Sequence, residues 1–255
     1  MALNGRTYWI TGASTGLGRS LAERLCSQGN RVIVTARSRD ALETLRQQFP
    51  DRVQVLPADI SVSGCEEEIS AGLAACTDFL DTAILNAGGC EYLDVNAYDH
   101  SLVERVAQVN YFGFSRCLHA SLPLLRKSTS PHLVGISSAS VLFGLPRAEA
   151  YGASKAALTY FLKSLRNDLA RFDVDVSTVY PGFVDTPLTR KNDFPMPGLM
   201  NVDKAADIIL KGIDKRKSEI SFPWSLIWTL KVLEALPVSM STKLAQRMVR
   251  DGAPA

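Results

Sequence analysis

The chain has 255 residues, 46% of them hydrophobic and 21% charged, with 28 Lys and Arg against 26 Asp and Glu. That composition excludes a disordered, collagen-like or low-complexity chain, and a net charge of +2 lacks the concentrated base that duplex nucleic acid requires. Five cysteines without a CxxC spacing and three scattered histidines argue against a disulfide framework or any metal site.

The first residues, Met-Ala-Leu-Asn-Gly-Arg, lack the apolar core of a signal peptide, and no run of about 18 apolar residues could span a bilayer. A cytoplasmic location is therefore expected. Short apolar runs alternate with helical patterns along almost the whole chain. Strands are expected at 6–11, 31–36, 52–56, 81–85, 132–137 and 175–180. Helix-compatible stretches lie between them at 17–28, 39–48, 64–76, 101–126 and 149–172. Such alternation predicts an α/β fold, a doubly wound Rossmann-type, mostly parallel sheet with helices on both faces. No linker or repeat divides the chain, so 1–255 reads as a single dinucleotide-binding and catalytic domain.

The first strand runs into Thr11-Gly12-Ala13-Ser14-Thr15-Gly16-Leu17-Gly18 and then a helix. Glycines spaced in this way let the backbone turn tightly and approach a phosphate, and the helix start adds free N–H groups that suit a pyrophosphate. An incidental glycine turn is the bland alternative, weakened by its place in a βαβ pattern. The second strand ends at Ala36, where a dinucleotide fold usually offers a ribose-binding acid, and Arg37 follows. A guanidinium can pair a 2′-phosphate that a carboxylate would repel, which favours NADP(H) over NAD(H). Otherwise Arg37 simply solvates its loop.

The fifth strand leads into Ser137-Ser138-Ala139-Ser140, and Tyr151 follows Ser138 by thirteen residues, with Lys155 one helical turn further on. A phenol of pKa near ~10 is a poor base at neutral pH, and moving it to about 7 requires roughly 4 kcal/mol, within reach of an adjacent ammonium acting with a cationic nicotinamide. Tyr-x3-Lys alone is common in ordinary helices.

The combination resembles the short-chain dehydrogenase/reductase family, in its single-domain branch, over roughly residues 5–220. The matching segments are the glycine turn, Asn86-Ala87-Gly88 after the fourth strand, Asn110 in the long helix, Ser138, Tyr151 with Lys155, and Pro181-Gly182 after the sixth strand. The resemblance implies a catalytic set of Asn110, Ser138, Tyr151 and Lys155. In it Tyr151 is the general acid/base, Ser138 polarises the carbonyl, Lys155 lowers the phenol and binds ribose, and Asn110 shapes the helix and holds a relay water. It also implies an NADP(H) site formed by Gly12, Ser14, Thr15, Gly16, Leu17, Gly18, Arg37, Asp59, Ile60, Asn86, Ala87, Gly88, Tyr151, Lys155, Pro181, Val184 and Thr186. Asp59 and Ile60 fall at the adenine, and Pro181, Val184 and Thr186 at the nicotinamide edge. Asn110 alternatively satisfies a backbone kink, Ser137 and Ser140 remain rival hydroxyls to Ser138, and Cys90 reads as a packed small residue rather than a nucleophile.

Residues 187–202 fall where this family places a substrate lid. Its Leu188, Phe194, Met196, Leu199 and Met200 suit an apolar substrate, or equally packing against the protein itself. A helix at 202–215 and a strand at 219–222 follow. Residues 223–255 read as an apolar helical extension, with 224–236 apolar nearly all round and a more basic helix at 240–250. Packing on the pocket or on another subunit is the first reading of this extension, and membrane-surface association the second. The activity implied is reduction of an apolar ketone or aldehyde, or the reverse oxidation, by a dimer or tetramer. The alternatives are a hydroxysteroid or lipid-alcohol dehydrogenase at a membrane surface and a non-catalytic NADP(H)-sensing regulator.

Overall fold

Short β-branched runs present apolar side chains to both faces of a strand, so both faces of the sheet must be covered by helices. The computed structural model describes residues 5–249. Its strands are β1 (Thr7–Thr11), β2 (Arg31–Thr35), β3 (Val53–Val55), β4 (Thr82–Leu85), β5 (His132–Ile136), β6 (Asp175–Pro181) and β7 (Glu219–Phe222). They join one sheet in the order β3-β2-β1-β4-β5-β6-β7, and every pairing is parallel. The helices are α1 (Gly16–Ser27), α2 (Arg39–Gln48), α3 (Cys65–Cys76), α4 (His100–Ala107), α5 (Gly113–Leu125), α6 (Glu149–Leu169), α7 (Val202–Asp214), α8 (Trp224–Ala235) and α9 (Val238–Gln246).

Alternation along β1 divides the core. Tyr8 and Ile10 face Leu21 and Leu25 of α1 and Ile209 and Ile213 of α7, whereas Trp9 faces Phe114 and Leu118 of α5 and Leu158 and Leu162 of α6. Helix starts are set by side chains that satisfy the first free amides. Ser38 Oγ accepts from Ala41 N at 3.3 Å, Asp99 Oδ1 from Ser101 N at 2.9 Å and Asn201 Oδ1 from Asp203 N at 2.8 Å.

The sequence suggested one helix over 101–126. The structure instead divides it into α4, a π-helical turn at Gln108–Phe112 and α5. Such a turn inserts an extra residue into the helix and is held in place by specific side-chain bonds, here those of Asn110 described below. The helix expected at 149–172 stops at Leu169, and a 3-10 turn, Ala170–Phe172, ends at Asp173 with φ +55°. The last helix begins at Val238 rather than at 240. Residues 250–255, which end the extension expected over 223–255 and include Arg250, the last residue of the expected helix, lie outside the described residues, as do the first four.

The sheet order reverses between β1 and β4, so the connections leaving these two strands diverge to opposite faces and open a crevice at their carboxyl ends. At the opposite end of the sheet, buried His132 has Nε2 2.7 Å from Ser177 Oγ. Ser177 donates its own proton to Lys217 O at 2.6 Å, so the imidazole Nε2 is the donor. Burial, with Arg216 and Arg6 nearby, pushes this histidine from 6.5 down to about 3. A base depressed in the fold contributes stability that is fully present above its unfolded pKa and is lost as pH falls from 6.5 toward about 3. Thermal unfolding across that window should lose up to about 5 kcal/mol through this group. His132→Gln, which keeps a donor for Ser177, should flatten the loss.

Candidate active site

The turn after β1 has no room for β-carbons. Gly12 has φ +69°, and a β-carbon there would lie 2.8 Å from Ala87 Cα, while one on Gly18 would lie 2.3 Å from Gly12 O. The close approach is held by Thr11, whose Oγ1 accepts from Asn86 N at 3.0 Å and Ala87 N at 3.1 Å. Asn86 Nδ2 returns bonds to Thr11 O and Gly12 O at 3.1 and 3.3 Å. Thr15 precedes α1 in an extended conformation and makes no side-chain cap bond, so Ser14, Thr15, Gly16 and Leu17 present backbone at the helix start without a competing cap. Gly16, at φ +55°, lies against Thr186, where a β-carbon would be 3.2 Å from Thr186 Cβ. The glycine turn thus meets the segment leaving β6 as well as the segment leaving β4. These tight approaches fit a pyrophosphate cradle made of backbone.

Arg37 is exposed just beyond β2. Asp59 is near enough to Arg37 to feel its charge. Burial opposes ionisation of Asp59, but bonds from the Ser61 hydroxyl and amide, with Arg37 assisting, hold the carboxyl below its usual range. Ile60 turns into the core over Gly113, and its carbonyl accepts from Arg116 at 3.1 Å.

The catalytic candidates converge from three elements. Tyr151 and Lys155 lie on α6, and Ser138, which follows β5, is near enough to the Tyr151 hydroxyl to pull its pKa down. Ser138 Oγ also accepts from Ser140 N at 3.1 Å and Ser140 Oγ at 3.0 Å. Ser137 points the other way, 2.6 Å from Thr159 Oγ1 and bonded to Lys155 O, because successive residues leaving a strand alternate in direction. Ser138 is therefore the hydroxyl of this triplet that reaches the phenol. Lys155 Nζ donates to Ile136 O at 2.9 Å and lies within 3.2 Å of a β-carbon built on Gly88.

Asn110 is buried in the π-helical turn. Its Oδ1 accepts from Gly89 N at 2.8 Å, and its Nδ2 donates to Gly89 O and to Ser154 Oγ, both at 2.9 Å. Ser154 in turn donates to Tyr151 O at 2.7 Å. The side chain is committed to clamping the loop after β4 to the helix that carries Tyr151.

Electrostatics depart from the expectation that Lys155 draws the phenol down. Burial pushes Tyr151 up to about 12 against the opposing pull of nearby Ser138, and burial lowers Lys155 to about 8. The ammonium is turned to the Ile136 carbonyl, and desolvation of both groups dominates. Within the chain by itself Tyr151 is a protonated acid. Burial likewise raises the Cys90 thiol, in keeping with an unreactive packed cysteine.

Tyr92 was not legible in the sequence as a site residue. Its hydroxyl lies 2.7 Å from Asn192 Oδ1, and its ring meets Phe194 edge-on at 5.6 Å. Phe194 also packs on Phe183 at 6.0 Å, and Arg147 pairs with Asp193 at 3.2 Å. No local pattern marks Tyr92, because its partners lie about a hundred residues away. In the segment expected as a lid, Phe194 and Met200 face inward while Leu188 and Leu199 are exposed. Its root is tied by a bridge between Val184 and Met200. Helix α8 packs Ile227 and Leu230 against Ala139, Phe143 and Tyr180, beside the site.

Residues 6–195 match the short chain dehydrogenase family. An uncharacterized oxidoreductase of Myxococcus xanthus is 37% identical, the match covering 95% of this chain and 97% of that protein. A fatty acyl-CoA reductase of Acinetobacter baylyi is 30% identical, covering 86% of this chain and 76% of its own. The crystal structure of a short chain dehydrogenase from Burkholderia cenocepacia in complex with NADP superposes with a TM-score of 0.82 at 25% identity, over 98% of this chain and 100% of that one. The protein belongs to the short chain dehydrogenase family, and with it to the nucleotide-binding oxidoreductases.

Because a β-carbon on Gly18 would collide with Gly12 O and with Asn86 Nδ2 at 2.6 Å, Gly18→Ala should weaken dinucleotide binding at least about ten-fold by calorimetry. Gly144→Ala, which meets nothing within 4 Å, serves as the matched control and should leave it unchanged.

Proposed function

We propose that this protein interconverts an apolar ketone or aldehyde and its alcohol using NADP(H), with Tyr151 as the general acid/base. The observation that carries this reading is the convergence of Ser138 and Tyr151 beside Lys155 and Gly88 at the mouth of a crevice floored by the glycine turn. The dinucleotide, when bound, supplies or accepts the hydride.

The rest of the chemistry falls to the chain. Tyr151, held up to about 12, stays protonated at neutral pH and gives its proton to the carbonyl oxygen. Ser138 Oγ accepts from Ser140, and its own proton, directed toward the phenol oxygen in the chain alone, turns to hold the carbonyl oxygen beside Tyr151. Lys155, lowered to about 8 yet still mostly charged at neutral pH, offers a positive neighbour to the phenolate that forms. Asn110 acts as a positioning residue through Gly89 and Ser154. The glycine turn with Asn86, Ala87 and Gly88 holds the dinucleotide backbone, Pro181, Val184 and Thr186 edge its reactive ring, and Arg37 selects the 2′-phosphate over a bare ribose. Tyr92, Phe183 and Phe194 line the approach with aromatic surface, which suits an apolar substrate. A lipid-alcohol substrate is the second reading, favoured by the fatty acyl-CoA reductase among the relatives.

Tyr151→Phe should leave NADPH affinity within about two-fold while turnover falls by about 10²–10⁴ in a carbonyl panel followed by NADPH oxidation. Retained turnover would remove the proton-transfer assignment, and no oxidation by the unaltered protein across the panel would favour a non-catalytic nucleotide sensor. Arg37→Ala should raise KM for NADPH at least about ten-fold and leave KM for NADH nearly unchanged.

Alkali removes the Lys155 charge before it touches Tyr151. Reductive kcat/KM should therefore hold near neutral pH and bend down above about 8. Alcohol oxidation, which needs the phenolate, should rise over the same range.

A further inference from the structure

Helix α8 is apolar nearly all round but covered on one side. Ile227 and Leu230 are buried, with Leu226 and Leu233 packed beside them. On the opposite side Trp224, Trp228 and Val232, spaced one helical turn apart, are 76%, 63% and 53% exposed. Helix α9 extends the open surface with Val238 and Met240 at 80% and 52%, and Met248 and Val249 beyond it are exposed as well. Residues 224–249 carry Lys231, Lys243 and Arg247 against the single acid Glu234, and all four are exposed.

This surface adjoins the mouth of the site. Leu226 comes within 2.7 Å of a β-carbon built on Gly182, next to the ring-edge segment, and Pro223 within 3.0 Å of one built on Gly198 in the lid segment. The exposed Leu188 and Leu199 belong to that same segment.

We propose that α8 and α9 dock the protein on an anionic lipid surface. Trp224, Trp228, Val232, Val238 and Met240 enter the headgroup boundary, and Lys231, Lys243 and Arg247 pair with acidic headgroups. No helix among the described residues is long and apolar enough to cross a membrane, so the contact is made in the plane of the interface. A two-fold contact with a second copy would set this same basic patch against itself, and like charges oppose that arrangement. The docking rests on α8 and α9 alone. That it delivers an apolar substrate to the lid rests on the function proposed above.

The test is flotation of the full chain with vesicles of phosphatidylcholine, either alone or with about one third phosphatidylserine, at low and high salt. The protein should float with the serine-containing vesicles and be partly released by salt. Trp224→Ser combined with Trp228→Ser should reduce the bound fraction at least about ten-fold, and Lys243→Glu with Arg247→Glu should abolish the preference for acidic lipid. Both variants should keep the unaltered Tm and turnover of a water-soluble carbonyl. Tyr151→Phe should float like the unaltered protein, which separates failure of the reaction from failure of docking. Absence of flotation, or undiminished flotation of the tryptophan variant, overturns the proposal. So does a dimer, seen by light scattering, that the tryptophan substitutions split.

Discussion

The carboxyl ends of β1 and β4 meet where Gly12 and Gly18 carry no β-carbon. Gly12 and Gly18 leave the space, and Thr11 and Asn86 fill it with four hydrogen bonds between the two strand ends. Because the sheet order reverses between these strands, the same contact defines a crevice and aims the start of α1 into it. A β-carbon at either glycine separates the strand ends, and the crevice loses its floor. Every later element of the site is placed relative to that floor.

Placement of the reactive side chains depends on a second clamp. Asn110 saturates its amide between Gly89 and Ser154, and the π-helical turn brings it there. The loop that bears Gly88 and the helix that bears Tyr151 and Lys155 are thereby fixed to each other. Burial then decides the protonation states. It holds the phenol protonated and loosens the lysine proton, because removing either charged form from water opposes ionisation more strongly than the neighbours favour it. An acid kept neutral in this way matches a proton donor to a carbonyl oxygen.

The apolar character of α8 serves two directions at once. One side completes a small core with Ala139, Phe143 and Tyr180 and braces the site, while the other is left open. A helix that reads as apolar all round therefore need not be enclosed, and here the uncovered side carries tryptophan and lysine together.

Much of this was written locally. The strands and most helices follow from periodicity within single segments, and β7 spans the residues expected of it. The glycine turn, Tyr151 with Lys155, and Arg37 beyond β2 are spacings within one turn or one helix, so the sequence alone determined them. Tertiary structure decided the rest. It broke the long helix at 108–112, chose Ser138 over Ser137 and Ser140, and turned Lys155 toward Ile136 O. It also joined Tyr92 to Asn192 and selected which side of α8 is covered. These outcomes depend on hydrogen bonds and burial between segments far apart in the chain, and local periodicity carries no record of partners that only folding brings together.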